Sequence, residues 1–404
     1  MLSTGYNGTY TYCYCTKSSH FRHILRECLK NDVHLELSAG FDVAIVRSLA
    51  AEGQLPYDRM IVCNGFKSKN YLQGILALRK EGFERVIPVI DNKEEFEFFA
   101  ENAAHGLELG LRIAIEEQPD FEVYTSRLGM PRRQILEFYE QRIRHTAGLK
   151  VTMLHFFTQS GIDDTPYFWN EFRKAVELYT ELAQRNPHLR YLNIGGGLPY
   201  RNSLFFEFDY PYMITEMVNT IKNTCAAAGV REPDIVSEFG SFTVSEASGV
   251  LFGVEGRKYQ NDREAWLMLD GSLMCTLPDI WALKQRYILL PINNWDAGYE
   301  RVILGGNTCD NHDYYERDAH TDIIFLPKSV PEEKQYIGFF HTGAYQEALS
   351  GVGGIHHCLI PTPRHILIDG NAYDGFTHEV LTPQQQEQEV MSILGYQPAS
   401  TPAP

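Results

Sequence analysis

Three widely separated elements of this 404-residue chain carry groups that could act together on one small molecule. Lys17, in YCTKSSH, offers an amine that forms an imine with an aldehyde once its pKa is lowered. The triplet Gly195-Gly196-Gly197, in NIGGGLP, lets backbone amides approach an anion such as phosphate. Glu238, in SEFGSF, adds a carboxylate able to hold a charged ring nitrogen. Read singly, each has a plain structural alternative: a solvated lysine, a tight turn needing positive φ, and half of an ion pair. Their placement in the fold has to decide.

Short β-rich runs alternate with helical stretches through the first 240 residues, which predicts parallel βα units. The strands read as Tyr10–Cys15, Val33–Ser38, Met60–Asn64, Val86–Ile90, Glu108–Ile115, Lys150–Phe156, Leu189–Ile194 and Asp234–Ser237, with a helix such as Tyr167–Arg185 between them. Eight such units imply an α/β fold closed as a (β/α)8 barrel, whose chemistry sits at the C-terminal ends of the strands. Lys17 follows strand one, Glu36 lies near the end of strand two and Asn64 ends strand three. Arg112 lies in strand five, Ser160 follows strand six, the glycine triplet follows strand seven and Glu238 follows strand eight. The loops after strands seven and eight are the usual phosphate grip of this barrel. A phosphate grip, a lysine at the barrel mouth and a carboxylate for a pyridine nitrogen together point to pyridoxal 5'-phosphate.

After residue 245 the texture changes to short segments rich in glycine and proline without helical spacing, which reads as a β domain. The expected division is a barrel over 1–245, a β-rich domain over 246–395 and a disordered tail over 396–404. Two domains suit the length, because one core organises about 250 residues. A net charge of −16 disfavours nucleic acid and anionic membranes and favours a cationic substrate. The eight cysteines include no CxxC pair, so neither a zinc site nor a disulfide framework is indicated. With no signal-like N-terminus and no run of 18 apolar residues, a cytoplasmic location is expected.

The blocks YCTK, HFFTQSG, IGGGLP, SEFGSFTV, GGNTCDNHDYY and HTGAYQ occur in the order found in the alanine-racemase-like (fold type III) pyridoxal-phosphate decarboxylases, and the chain resembles that family over nearly its whole length. YCYCTKSSHF, LPDIWALKQRYILLPINNW and YIGFFHTGAYQ are most similar to the bacterial biosynthetic arginine decarboxylase branch. The resemblance implies that Lys17 is the Schiff-base lysine, Glu238 the pyridinium partner and Gly195 to Gly197 the phosphate loop, with Ser160 and Tyr345 as further phosphate ligands. It makes Cys309 the thiol that returns a proton to the substrate carbon. Asp310 becomes a substrate-binding acid donated across a dimer interface, and Asp279 a second acid for the distal cation. Outside the resemblance, Cys309 reads as a small hydrophobe, Asp279 as a helix cap, Tyr345 as a core aromatic, and Arg112 and Glu36 as barrel-lining ion-pair partners.

The chain departs from the family in three places. Phe157 stands where relatives carry a histidine that stacks on the cofactor, with His155 two residues earlier. Ser241 replaces a phosphate-binding arginine, which shifts anion binding onto the loop amides. The chain also starts almost at the lysine strand, where relatives have an upstream segment. The implied activity is decarboxylation of arginine to agmatine in polyamine synthesis by a homodimer with shared sites and no metal. Ornithine, lysine, diaminopimelate or carboxynorspermidine remain alternative substrates, and a catalytically silent regulatory homologue is the alternative of another class.

Overall fold

The computed structural model describes residues 4–103, 106–115, 126–261, 264–317 and 323–396. The tail expected at 396–404 lies outside the described residues, apart from Tyr396. The chain divides into two compact units. One runs to Val244 without Arg201–Phe206, and the other takes Arg201–Phe206 and the residues from Ser245 onward. This excursion is tied into the second unit by a hydrogen bond between the His341 ring and the Arg201 carbonyl, at 2.5 Å.

The first unit is a closed barrel of eight parallel strands. They are β1 (Tyr10–Cys15), β2 (His34–Leu37), β3 (Met60–Cys63), β4 (Arg85–Ile90), β5 (Leu107–Arg112), β6 (Leu149–His155), β7 (Tyr191–Asn193) and β8 (Asp234–Ser237). Closure pairs Tyr10 with Ile235 and Tyr12 with Ser237. Asp234 fastens this seam, accepting from the Thr9 amide at 2.8 Å and from Arg190 at 2.6 Å. The expected strand five overran at Ile115, because beyond Arg112 the chain bridges Ile113 to Met130 instead of continuing the ladder.

Three of the helices between strands begin at a side-chain cap. Asn92 accepts from the Glu95 amide, Thr165 from Phe168 and Asp209 from Tyr212, and proline opens the helices at 166 and 210–211. The helix expected at Tyr167–Arg185 spans Pro166–Ala183. It stops early because Asn186 turns the chain and donates to the Val151 carbonyl at 2.8 Å.

Strand alternation fills the barrel with Cys13, Met60, Val62, Ile87, Val89, Met153, Tyr191 and Val236, all buried in one cluster. Truncating one of them, such as Met153 to alanine, costs about 2–5 kcal/mol through lost transfer energy and the cavity left. The same period of two sends the residues two positions further on, Asn64, His155, Asn193 and Glu238, to the same inner side, one layer nearer the C-terminal mouth. An apolar plug thus supports a polar ring.

The second unit holds one sheet in the order β11-β15-β9-β10-β12-β13, with β14 also on β12. Its strands are β9 (Gly249–Asn261), β10 (Glu264–Leu269), β11 (Ile288–Pro291), β12 (Tyr299–Gly305), β13 (Tyr314–Tyr315), β14 (Ile324–Pro327) and β15 (Tyr336–Phe340). Leu267, Leu269, Leu273, Leu304, Ile337 and Phe339 form its core. Short helices at Leu273–Thr276, Asp279–Ala282, Gln346–Ser350 and Glu387–Ile393 interrupt a region whose sequence shows no helical period, each too short to display one. A hairpin of β16 (His365–Asn371) and β17 (Gly375–Thr382) follows the sheet.

Candidate active site

The barrel mouth holds one connected polar network. Lys17 sits in a single 3-10 turn directly after β1, fixed by Ser18 Oγ donating to the Cys15 carbonyl at 2.7 Å and Thr16 Oγ1 donating to the Glu36 carbonyl at 3.1 Å. The Lys17 side chain is 39% exposed, and its Nζ is ion-paired with Glu36, which is fully buried. Asn64 Nδ2 links this pair to Glu238, donating to Glu36 Oε1 at 3.0 Å and to the two Glu238 oxygens at 3.0 and 2.9 Å. Asn193 Nδ2 donates to Glu238 Oε1 at 2.6 Å, and His155 Nε2 lies 3.3 Å from Oε2. Burial by itself would raise the Glu238 pKa. His155, Lys17 and Asn64 outweigh that effect and hold the carboxyl well below its usual range. The mouth therefore contains a carboxylate that is buried and still ionised.

Asn193 was not singled out in the sequence, and His155 only as the histidine two residues before Phe157. The signal was there: Arg112, His155 and Asn193 are register neighbours, a row of polar residues at the C-terminal ends of β5, β6 and β7. Lys67, the other lysine near a strand end, is no rival to Lys17. Its side chain is wholly buried and engaged with Glu95 at 2.9 Å and the Gly65 carbonyl at 2.8 Å.

The glycine triplet is clamped from two sides. The Glu238 amide donates to the Gly195 carbonyl and the Ile162 amide to the Gly197 carbonyl, both at 2.8 Å. A Cβ on Gly196 would stand 2.5 Å from the Glu238 carbonyl oxygen, and one on Gly197, at φ +92°, would stand 2.7 Å from the Gly161 Cα. Only glycine permits this packing. Among the described residues, the amides of Gly196 and Gly197 donate to no protein acceptor. Ser160 is exposed in the neighbouring β6 loop, beside Gly161. Phe157, from the same loop, lies 5.7 Å from the Arg112 guanidinium. Burial lowers the Arg112 pKa, an effect opposed by Glu238, Asp91 and Glu36.

The remaining candidates belong to the second unit. Cys309 Sγ lies 3.4 Å from Cys358 Sγ and 3.8 Å from His357 Nε2, and all three residues are exposed. The neighbouring Cys358 thiol raises the Cys309 pKa. The lack of a closely spaced cysteine pair in the sequence thus does not carry into the fold, which gathers donors 48 and 49 residues apart. Asp310 accepts from the His312 amide at 2.8 Å, which lowers its pKa. Asp313, not singled out in the sequence, anchors the loop by accepting from Thr308 Oγ1 at 2.6 Å and from the Met274 amide at 3.0 Å. Asp279 opens the helix Asp279–Ala282 and accepts from Gln346 Nε2 at 2.7 Å; burial raises its pKa, with Gln346 opposing. Tyr345 adopts φ +68° and His341 φ +63°, so the HTGAY segment begins and ends in the left-handed region that non-glycine residues avoid. Such strain collects at functional loops.

A parallel eight-stranded barrel with a lysine after its first strand, an anion-binding glycine loop after its seventh and a buried carboxylate after its eighth defines a class of enzymes that act through an aldehyde cofactor. Residues 3–245 match the pyridoxal-binding domain of the pyridoxal-dependent decarboxylases, and the chain belongs to that family. It is 23% identical to the biosynthetic arginine decarboxylase of Thermosynechococcus vestitus, over 97% of this chain and 78% of the relative. It is also 23% identical to arginine decarboxylase 2 of Arabidopsis thaliana, over 98% of this chain and 70% of the relative. Among solved structures, the biosynthetic arginine decarboxylase of Campylobacter jejuni superposes with a TM-score of 0.78 at 19% identity, covering 98% of this chain and 79% of that one. Diaminopimelate decarboxylase of M. jannaschii superposes at 0.75 with 18% identity, covering 97% and 86%. The two likenesses share the fold.

The cofactor of this family is pyridoxal 5'-phosphate, and the barrel mouth fits it. Asn64 Oδ1 and His155 Nδ1 are buried without a protein partner, a condition that costs about 1–3 kcal/mol for each group unless something bound satisfies it. The free amides of Gly196 and Gly197 suit a phosphate, and the ionised Glu238 suits a protonated ring nitrogen.

Proposed function

We propose that this enzyme decarboxylates arginine to agmatine and CO2, a step toward polyamines, as a cytoplasmic homodimer. The observation that carries the decarboxylase chemistry is the ionised Glu238 held by Asn64, Asn193 and His155 beside the Lys17–Glu36 pair. Arginine is favoured because two sequence relatives that align along nearly the whole chain are named arginine decarboxylases.

When bound, the cofactor supplies an electron sink for the carbon that loses CO2. Lys17 would hold its aldehyde end, with Glu36 fixing Nζ. Glu238 would hold the ring nitrogen in its protonated form. Gly195 to Gly197, Ser160 and Tyr345 would hold the phosphate, with no arginine at Ser241 to help. Arg112 adds a cation at the mouth, and Phe157 an apolar ring face.

Cys309 would deliver a proton from Sγ to the substrate carbon, a role that suits a thiol kept protonated by its neighbour. Asp310, anionic and half-buried, would take the guanidinium with a charge-assisted bond, and Asp279 would support it from its Gln346-bound position. The family resemblance assigns Cys309 and Asp310 to the site of the partner subunit.

The test is product analysis on the holoenzyme with arginine, ornithine, lysine and diaminopimelate in parallel. Agmatine and CO2 from arginine, at a kcat/KM well above the others, are expected. Turnover of another substrate alone would reassign the specificity, and turnover of none would show a silent homologue.

A further inference from the structure

We propose that Cys309, His357 and Cys358 form a binding site for a thiophilic divalent cation of the zinc type. Their Sγ, Nε2 and Sγ atoms all lie within 4.8 Å of one another. Tetrahedral zinc, with about 2.3 Å to sulfur and about 2.0–2.1 Å to nitrogen, sets its ligands about 3.8 Å apart for S···S and about 3.6 Å for S···N. The separations here are 3.4 Å for S···S and 3.8 Å from Cys309 Sγ to His357 Nε2, so small side-chain rotations complete the geometry.

Backbone strain coincides with this gathering. Cys358 and Leu359 both adopt φ +55°, a conformation that disfavours non-glycine residues, at the segment where the consecutive side chains of His357 and Cys358 meet Cys309. The two sulfurs are in non-bonded contact, and the imidazole adds a third donor that a disulfide has no use for. Binding Zn2+ as a bis-thiolate releases the two thiol protons and leaves a neutral centre. Three exposed protein donors from two segments leave the fourth position to water, the pattern of an open zinc site.

The consequence for turnover rests on the proposed role of Cys309. A thiolate held by a metal has no proton to give, so occupancy would stop the enzyme. Binding itself does not depend on that role.

Cobalt(II) titrated into metal-free, cofactor-loaded enzyme under reducing conditions tests the site. The wild type should take up one equivalent with thiolate-to-cobalt charge-transfer bands and the strong visible bands of tetrahedral cobalt, and Zn2+ should displace it. Cys358→Ser and His357→Ala, both at exposed positions, should weaken binding by more than the about 100-fold that loss of an outer partner costs. Weak octahedral-type absorption, or equal binding by Cys358→Ser, would overturn the proposal. So would two thiols that react only after reduction, which would mark a disulfide. If cobalt binds as described while turnover continues, the site stands and the proton-donor role of Cys309 falls.

Discussion

His155 Nε2 lies 3.3 Å from Glu238 Oε2, with both side chains almost fully buried. An acid without such neighbours would be protonated at this depth, because burial favours the neutral form. The imidazole, two amide donors and the Lys17 charge reverse that preference. The barrel core thus keeps a negative charge beneath its mouth.

Replacing Glu238 by Gln should separate cofactor binding from chemistry. The amide fills the same space and can still bond to Asn64 and Asn193, so cofactor content should stay near wild type. Turnover should fall by about 10²–10³-fold, the usual loss for one electrostatic group at a reacting centre. Full occupancy with an unchanged kcat would remove Glu238 from the mechanism.

Lys17→Ala should abolish the visible absorbance of covalently held cofactor and nearly all activity. Borohydride reduction of the wild type followed by peptide mapping should mark Lys17, because the amine of Lys67 is sealed in its ion pair with Glu95. A mark on any other lysine would contradict the assignment.

Asp42 predicts a pH dependence of stability. It is buried, which raises its pKa, but His20 at 3.2 Å and the amides of Ser38 and Ala39 at 2.8 and 3.0 Å bring the balance below the ordinary value. A depressed folded pKa means that the stabilisation is complete above the unfolded value near about 3.9 and is lost as pH falls through the lower folded value. Asp42→Asn should therefore cost about 1–3 kcal/mol at neutral pH, by denaturant unfolding, with the gap from wild type closing in acid. A difference that is constant with pH would show that charge is not involved.

Sharing of sites across a homodimer is testable by mixing two inactive proteins. Lys17→Ala and Asp310→Ala, allowed to exchange subunits, should form hybrids with one intact and one doubly damaged site. Random pairing makes about half of the dimers hybrid, so about a quarter of wild-type activity should return. Proven hybrids without recovery would place each site within one chain.

Much of the fold was legible because it rests on local patterns. Eight β-rich runs separated by helical stretches are the pattern of a βα barrel, and Lys17, the glycine triplet and Glu238 could be placed from strand ends alone. His155 and Asn193 were not, since a polar residue ending a strand gains meaning only when register sets it beside its neighbours. Phe157 drew notice by alignment, yet it is His155, one strand period from Met153, that reaches Glu238.

Sequence by itself determined the barrel, its cofactor class and the residues at the strand ends, because alternation and capping act over a few residues. The tertiary structure decided the rest. Strand register tied Glu36, Asn64, Asn193 and His155 into one network with Glu238. Loop packing brought Cys358 and His357 to Cys309 across almost fifty positions, a contact that no spacing rule encodes because the intervening chain is free to place it anywhere. Charge state followed from that geometry, since burial and the neighbours that offset it exist only once the chain is folded.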